Sequence, residues 1–333
     1  MSKRKIITFL MVAVMAGGIF TGCGEDTSNK KSEENKESQQ SAIPVPEGEE
    51  LDAELMEEFV QANELSNLCK KYGNIRIDTS YVYMDENGKK SDGGKDSMVY
   101  TLGENGIVSG NTGDGYSSYT ASSQLTYSKY QDMETPNSVV NYSVCYYSNS
   151  FNKLMEEFQE TGLYAGSEYV ETYCYKETAD GYEIYEVYDW GDGTGNVITY
   201  YANKDKVVTK SESMCYPKNA ARYVDCTRAL KTGVETTPKQ LEEFENGEIT
   251  VTIIENASGN QMEVKVPAGT EFSFIVDEVE AATLDPEGTQ FVGGDRYESM
   301  LTVNENVTVY IAEVGREEEM EEESLFSDTE PVG

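Results

Sequence analysis

The sequence predicts an α+β fold that is mostly antiparallel β: a curved sheet or half-barrel with a covering N-terminal helix, plus a small C-terminal β domain. Three observations predict it. Apolar residues first recur at three- and four-residue steps, as in an amphipathic helix, and then alternate with polar residues through about ten short runs. Gly, Asn and Asp separate those runs at hairpin spacing. Consecutive strands with few intervening helices form antiparallel sheets.

The first 23 residues have the plan of an export signal. Basic residues at 3–5 precede an apolar run over 6–20, and small residues then lead to Cys23. The run is too short for a comfortable membrane span, which needs about 20 apolar residues. We predict a signal peptide over 1–22. The competing interpretations are an ordinary secretory peptide and a buried helix that ends at a chance cysteine.

Residues 23–50 are predicted to form a flexible tether. They are rich in Ser, Glu, Lys, Asn and Gln, and such a composition cannot bury enough apolar surface to fold. A helix over 51–72 should follow, because Leu55, Phe59 and Ala62 share one apolar stripe. This stripe can be a face of the core or a lid over the sheet.

A long antiparallel sheet is predicted within the main domain, 51–237. A short helix over 151–160 interrupts its strands. The predicted strands are 75–83, 97–102, 116–121, 124–130, 138–147, 168–176, 182–190, 196–202, 206–214 and 222–229.

Tyrosine is unusually abundant, with 24 tyrosines against 10 phenylalanines and one tryptophan. A tyrosine ring buries well but its hydroxyl needs a partner, so a tyrosine-rich sheet can line a wet groove or stack on sugars. The same residues can cover the half-exposed outer face of a sheet. The tyrosines alternate with Glu and Thr rather than clustering, which favours the second interpretation.

A smaller unit follows the main domain. Residues 238–246 are predicted to be a linker, and 247–313 a small β domain. Residues 314–333 form an acidic tail that should be disordered, because blocks of like charge repel one another. The strands predicted in the small domain are 249–255, 261–266, 271–276 and 300–312.

Charge and residue types exclude several classes of function. With 61 acidic and 26 basic residues the formal net charge is -35, so the surface should repel nucleic acid and anionic lipid heads. The chain has no histidine, which removes the usual general base, the imidazole metal ligand and every His-dependent triad. We therefore expect no nucleic-acid partner and no cofactor.

Two motifs suggest chemistry, and neither is specific. Ser150 and Lys153 have the Ser-x-x-Lys spacing of serine penicillin-binding enzymes, and Lys231-Thr232-Gly233 fits their Lys-Thr-Gly strand. The intervals are too short for the helical subdomain that carries the middle element of those enzymes. The Gly- and Asp-rich stretch 189–196 looks like a small calcium loop, but hairpin turns require the same residues. We predict no catalytic residue and no metal site.

Phe20-Thr21-Gly22-Cys23 resembles the lipobox of bacterial lipoproteins. The resemblance implies that the Cys23 thiol receives a diacylglycerol and that the chain is cut just before it. The protein would then be lipid-anchored at the extracytoplasmic face of a bacterial membrane. Five cysteines, an odd number, would remain: Cys69, Cys145, Cys174, Cys215 and Cys226. They could form one or two disulfides, or all five could be buried thiols.

The order of elements over 51–230 resembles the LolA/LolB-like lipoprotein carriers. This resemblance implies an incomplete barrel around a cavity for a lipid or another apolar ligand, with Leu55, Phe59 and Ala62 in the lid. Further on, 266–270, 291–294 and 301–310 resemble the β-grasp-like repeats of bacterial surface proteins. Those repeats are spacers or adhesive units.

Two hypotheses of different class follow. The first is a non-catalytic, lipid-anchored binding protein for an apolar or amphipathic ligand. The second is a cell-surface interaction or adhesion module for a protein or glycan. A Ser-Lys hydrolase is a remote third. An enclosed cavity would favour the first, an exposed aromatic patch the second, and a cleft that holds Ser150 beside Lys153 and Lys231 the third.

Overall fold

The computed structural model describes most of residues 43–314. The positions outside this description are 1–42, 86, 88, 105, 114, 133, 134, 136, 156–160, 165–171, 191–193, 217–221, 295–298 and 315–333. Cys23, the predicted signal peptide and nearly all of the acidic tail therefore lie outside the described residues. The predicted fold class is confirmed: the chain is mostly β, with large antiparallel sheets that do not close into a barrel.

The larger of two sheets contains fourteen strands, in the order β1-β8-β9-β10-β11-β12-β2-β3-β4-β5-β6-β7-β15-β17. Hairpins join β2 through β7 and β8 through β12, and β12 pairs with β2 to make one continuous sheet. Its strands are β1 Glu49–Glu50, β2 Ile75–Met84, β3 Lys90–Gly103, β4 Gly106–Gly113, β5 Tyr116–Ser122, β6 Leu125–Tyr130, β7 Asn141–Tyr147, β8 Thr172–Thr178, β9 Gly181–Asp189, β10 Gly195–Asn203, β11 Val208–Tyr216, β12 Arg222–Thr232, β15 Thr270–Ile275 and β17 Met300–Val303.

The smaller sheet contains four strands in the order β14-β13-β18-β16. They are β13 Ile249–Glu255, β14 Gln261–Val266, β16 Glu280–Thr283 and β18 Val307–Glu313. The first and last of these, β13 and β18, run parallel at its centre. The helices of the chain are α1 Ala53–Asn63, α2 Leu65–Tyr72, α3 Asn149–Met155 and α4 Glu242–Glu245, with a 3₁₀ turn at Val292–Gly294.

The helix predicted over 51–72 is broken into α1 and α2. Asp52 begins α1, because its Oδ1 accepts a hydrogen bond from the Leu55 backbone N–H at 2.8 Å. Glu64 has an extended backbone, with ψ 131°, and bridges to Thr161 instead of continuing the helix. The break is stabilised by Asn63, which is fully buried and bonds to the β10–β11 hairpin.

The two faces of the large sheet are covered by different elements. We call the face on which α1 and α2 pack the helix face, and the other the opposite face. The helix-face core includes Phe59, Leu68 and Ile77. On the opposite face, Val144 and Phe272 pack against the small sheet.

The sequence predicted a linker over 238–246 and a separate small domain over 247–313. In the structure, part of that small domain belongs to the large sheet. Strand β15 pairs in parallel with β7 and so extends the large sheet. The strand predicted over 300–312 is also divided, with β17 in the large sheet and β18 in the small one. The shared core gives the reason: Phe272 and Phe274 on β15 and Tyr146 on β7 bury together.

The predicted tether ends earlier than Glu50. Ile43 is 4% exposed and packs on Val187 and Val197 of the opposite face. A Cβ atom at Gly195 would lie 2.3 Å from Ile43 Cδ1, so this glycine leaves the room that Ile43 needs. Leu51 is then buried in the core of the helix face. The segment 43–51 therefore wraps around the β8 edge of the sheet.

Candidate functional site

A buried carboxyl group lies on the helix face of the large sheet. Glu186 is on β9, where it shares the helix face with Ile184, and it is only 1% exposed. Its Oε2 atom accepts hydrogen bonds from Tyr200 Oη at 2.9 Å and from Tyr188 Oη at 3.2 Å. The alternation of side chains along a strand could have predicted this burial from the sequence. It places four residues on one face: Tyr182, Ile184, Glu186 and Tyr188. Glu186 was not among the functional residues predicted from the sequence.

Aromatic rings form a chain of edge-to-face contacts that reaches this carboxyl group through Tyr200. Phe59 of α1 meets Tyr164 with ring centroids 6.0 Å apart at 69°, and Tyr182 with centroids 5.3 Å apart at 87°. Tyr164 in turn meets Tyr200 at 5.0 Å and 86°. We call the group of six residues the Glu186 site: Phe59, Tyr164, Tyr182, Glu186, Tyr188 and Tyr200.

Two polar atoms of the Glu186 site are buried without a hydrogen-bond partner among the described residues. They are Glu186 Oε1 and Tyr164 Oη, and Tyr164 is 0% exposed. Leaving a buried polar atom unpaired costs about 1–3 kcal/mol, so native proteins rarely do so without a reason. The Glu186 site therefore has unmet hydrogen-bonding capacity inside an otherwise packed aromatic cluster.

Burial also changes the protonation of Glu186. Desolvation raises its pKa to about 7, and the hydrogen bonds from Tyr200 and Tyr188 only partly oppose this. Desolvation raises the pKa of Tyr164 and of Tyr200 as well, so both hydroxyls stay protonated at neutral pH. Of these three groups, Glu186 is the one that changes charge near pH 7.

The contribution of Glu186 to stability should therefore fall as the pH rises from about 4.3 to about 7. The folded-state pKa of Glu186 lies above the value of about 4.3 for an unfolded glutamate, so the folded state binds more protons between those two values. Glu186→Gln is neutral and nearly isosteric. The two proteins should be close in stability below about pH 4, and the advantage of Glu186→Gln in free energy of unfolding should grow by about 2.5 kcal/mol between pH 5 and pH 8. Urea unfolding at pH 5, 6, 7 and 8 measures this difference.

Glu183 provides the matched control for this experiment. It lies on the same strand but on the opposite face, where it is half-buried and accepts a hydrogen bond from Tyr185. Glu183→Gln should leave the pH dependence unchanged. Identical pH profiles for Glu186→Gln and the natural protein would show that Glu186 does not titrate in the buried site.

The three residues predicted to form a lid stripe all lie between α1 and the large sheet. Phe59 is fully buried, and Leu55 and Ala62 are half-buried against the same core. Tyrosine rings occupy the space beneath Phe59. The lid interpretation stays a prediction, and the structure places these residues in a packed core.

Polar contacts hold α1 mainly through its C-terminal half. Asn63 Nδ2 donates to Lys206 O at 2.9 Å, and Asn63 Oδ1 accepts from Val208 N at 2.8 Å. Lys206 also pairs with Glu58. The N-terminal half contributes the apolar contacts of Leu55 and Met56. The attachment is therefore strongest beside the break at Glu64.

Two surface depressions are lined largely by polar side chains. One, of about 390 Å³, lies beside α1 and α2 and includes Glu58, Ala62, Lys71 and Asp205. The other, of about 370 Å³, includes Asp78, which pairs with Arg76 at 2.8 Å and with Lys231 at 2.6 Å. Both are open to solvent, and neither is the enclosed apolar cavity that the carrier resemblance implies.

The structure does not bring together the residues of the Ser-Lys motif. Ser150 and Lys153 are on α3, which directly follows β7, whereas Lys231 is on β12. Six strand-to-strand steps separate β7 from β12 in the sheet. At about 4.8 Å per step, this corresponds to roughly 29 Å along the sheet.

The stretch 189–196, which looked like a calcium loop or a hairpin turn in the sequence, connects β9 to β10. Positions 191–193 lie outside the described residues, and around them Trp190 N donates to Thr194 O at 3.1 Å in the β9–β10 hairpin. No cluster of three or more acids or cysteines that could hold a metal ion occurs within the described part of 43–314. The cysteines from Cys69 to Cys226 are free thiols, with Cys69 and Cys174 buried.

Comparison with known proteins adds no assignment. No family model matches the sequence. No curated protein matches it either. The resemblances to lipoproteins, to LolA/LolB-like carriers and to β-grasp-like repeats therefore remain expectations from the residues that carry them.

Proposed function

We propose that this protein is a lipid-anchored extracytoplasmic binding protein, without catalytic activity, that holds an amphipathic ligand between α1 and the large sheet. The observation that supports this proposal is that two buried polar atoms of the Glu186 site, Glu186 Oε1 and Tyr164 Oη, lack hydrogen-bond partners among the described residues. An apolar ligand body would replace the contact of Phe59 with the tyrosine rings. The polar group of the ligand would meet Glu186 Oε1 and Tyr164 Oη.

Binding in this position requires α1 to move away from the sheet. The break at Glu64 and the polar contacts of Asn63 make the C-terminal end of α1 the natural pivot. Exposing Phe59 costs on the order of 1.5–3 kcal/mol. A ligand offsets this cost if its own apolar surface is buried against the same rings and its polar group satisfies the two unpaired atoms.

Ligand binding is tested on the mature chain expressed from Gly24 onward. Native mass spectrometry should detect an adduct of lipid mass that dissociates under denaturing conditions, or uptake of an added amphiphile. Hydrogen exchange should then slow in 161–164 and in the sheet strands beneath α1. A clean apoprotein that takes up no added amphiphile would contradict the proposal and leave the surface module for a protein or glycan as the working hypothesis.

The anchor has a separate test. Cys23→Ala should abolish acylation, because the thiol is the acceptor, and the protein should leave the membrane fraction. Within the described part of 43–314, no helix is long and apolar enough to cross a membrane. Membrane fractionation of the full chain, with Cys69→Ala as the control, measures the effect. A Cys23→Ala protein that stays with the membrane would disprove the lipid anchor.

A further inference from the structure

We infer that the polar group accepted by the Glu186 site is cationic, in the form of an alkylammonium or quaternary ammonium head. This inference rests on the proposed function and adds the charge of the ligand to it. The features that carry it are a buried carboxyl group whose Oε1 has no hydrogen-bond partner among the described residues, the chain of aromatic rings that reaches it through Tyr200, and the lack of a lysine or arginine beside it in the described part of the chain.

Among the described residues, the Glu186 carboxyl group has hydrogen-bond donors but no positively charged neighbour. Tyr200 and Tyr188 are neutral donors, and both act on Oε2. The pKa of Glu186 is set by burial and by these two hydrogen bonds, and no lysine or arginine contributes to its shift. A buried carboxylate without a positive partner is costly. An alkylammonium head would supply the charge and donate an N–H to Oε1, whereas a quaternary ammonium head would supply the charge alone.

The aromatic rings add a second preference for a cation. The ring pairs that join Phe59, Tyr164, Tyr182 and Tyr200 meet at 69° to 87°, so the ring faces point in different directions. An ammonium group within about 6 Å of such faces is attracted by their negative electrostatic potential, and aromatic cages bind quaternary ammonium groups in this way. Withdrawal of the Phe59 ring with α1 would open one wall of this arrangement.

Anionic and neutral heads fit the site less well. An anion would be repelled by the carboxylate and by the ring faces, and the net charge of -35 would slow its approach. A neutral hydroxyl head could hydrogen-bond to Oε1 but would leave the carboxylate without a counter-charge. The site should therefore rank ligands with the same chain in the order cationic, neutral, anionic.

Binding of a cation should strengthen with pH. The titratable groups that face Glu186 are Tyr188 on its own strand, Tyr200 on β10, Tyr173 opposite it on β8 and Tyr164 on the segment under α1. Burial raises the pKa of Tyr164 and of Tyr200, so both hydroxyls stay neutral over this range. The carboxyl group itself, with a pKa of about 7, is mostly protonated at pH 6 and mostly ionised at pH 8. Affinity for a cation should rise by roughly tenfold over that interval, and cation binding at pH 7 should release protons.

The test compares three amphiphiles with the same chain below their micelle concentrations: octyltrimethylammonium, octyl glucoside and octanoate. Isothermal titration of the mature chain from Gly24 onward at pH 6 and pH 8 measures affinity. Octyltrimethylammonium should bind at least tenfold more tightly than octyl glucoside at pH 8. Glu186→Gln should remove this preference, and Glu183→Gln should leave the preference unchanged. Circular dichroism of both variants verifies that they fold.

Each result separates the inference from the function on which it rests. Equal binding of the cationic and neutral amphiphiles, or no effect of Glu186→Gln on the preference, would overturn the cationic head and leave the binding function standing. Failure of all three amphiphiles to bind would overturn both. Tighter binding of octanoate would reverse the assigned charge.

Discussion

Phe59→Ala should lower the free energy of unfolding by about 3–5 kcal/mol. Phe59 is 0% exposed, and its ring contacts both Tyr164 and Tyr182. Alanine removes the ring from a core that α1 and the large sheet share, and the residues around it can fill the space only in part. Urea unfolding followed by circular dichroism measures the loss.

Gln61→Ala is the matched control for Phe59→Ala. Gln61 lies on the exposed side of α1, where its side chain donates to Glu57 Oε1 at 3.2 Å. Its replacement should change stability by no more than about 0.5 kcal/mol. A loss of less than about 1 kcal/mol for Phe59→Ala would mean that α1 is already detached from the sheet in solution, which hydrogen exchange over 53–63 would reveal.

The second large effect is expected at Glu255, which joins the small sheet to the large one. Glu255 is 6% exposed, and its Oε1 accepts from Tyr146 Oη at 2.7 Å and from Asn149 N at 2.8 Å. Its Oε2 accepts from Ser258 Oγ at 2.9 Å and from Asn149 Nδ2. Unlike Glu186, this carboxylate uses both oxygens, and it caps the beginning of α3.

Glu255→Ala should lower the free energy of unfolding by about 3 kcal/mol. The substitution leaves Tyr146 Oη and the Asn149 backbone N–H without their acceptor in a buried junction. Glu263→Ala, at an exposed position on β14, should be close to neutral. Urea unfolding of both variants measures the difference. Equal effects at the two positions would show that the junction contributes little to stability.

The pH dependence at Glu255 should have the opposite sign to that at Glu186. Burial alone would raise the pKa of Glu255, but hydrogen bonds from Tyr146, Asn149 and Ser258 outweigh burial and lower the pKa. This stabilisation is present above the unfolded value of about 4.3 and is lost as the pH falls below it. The natural protein should therefore lose its advantage over Glu255→Ala between about pH 4.3 and the lower pKa of the folded state.

Local patterns predicted many of the elements well. The apolar stripe through Leu55 and Phe59 marks α1, and the alternation over 75–83 marks β2. Strand β4, Gly106–Gly113, was missed because its Gly-, Ser- and Asn-rich residues lack strand alternation. It is held in place by pairing with β3 and β5 on its two sides. Pairing with neighbours, rather than its own propensity, makes it a strand.

The candidate site was less predictable than the elements around it. The sequence shows that Glu186 shares a strand face with Ile184, which already suggests a buried acid. It does not show that Tyr188 and Tyr200 both bond to the same oxygen, or that the other oxygen is left unpaired. Those facts depend on the register between β9 and β10 and on the packing of Tyr164 beneath α1.

By itself the sequence determined the β-rich class, the amphipathic α1, the acidic net charge and the lack of histidine, since these depend on composition and on periods of a few residues. Tertiary structure alone decided that β15 extends the large sheet and that 43–51 wraps around its edge. It also decided that both carboxylate oxygens of Glu255 accept hydrogen bonds, whereas Oε1 of Glu186 has no partner among the described residues. Contacts between residues far apart in the chain set all three outcomes, because burial and hydrogen bonding depend on which surfaces meet.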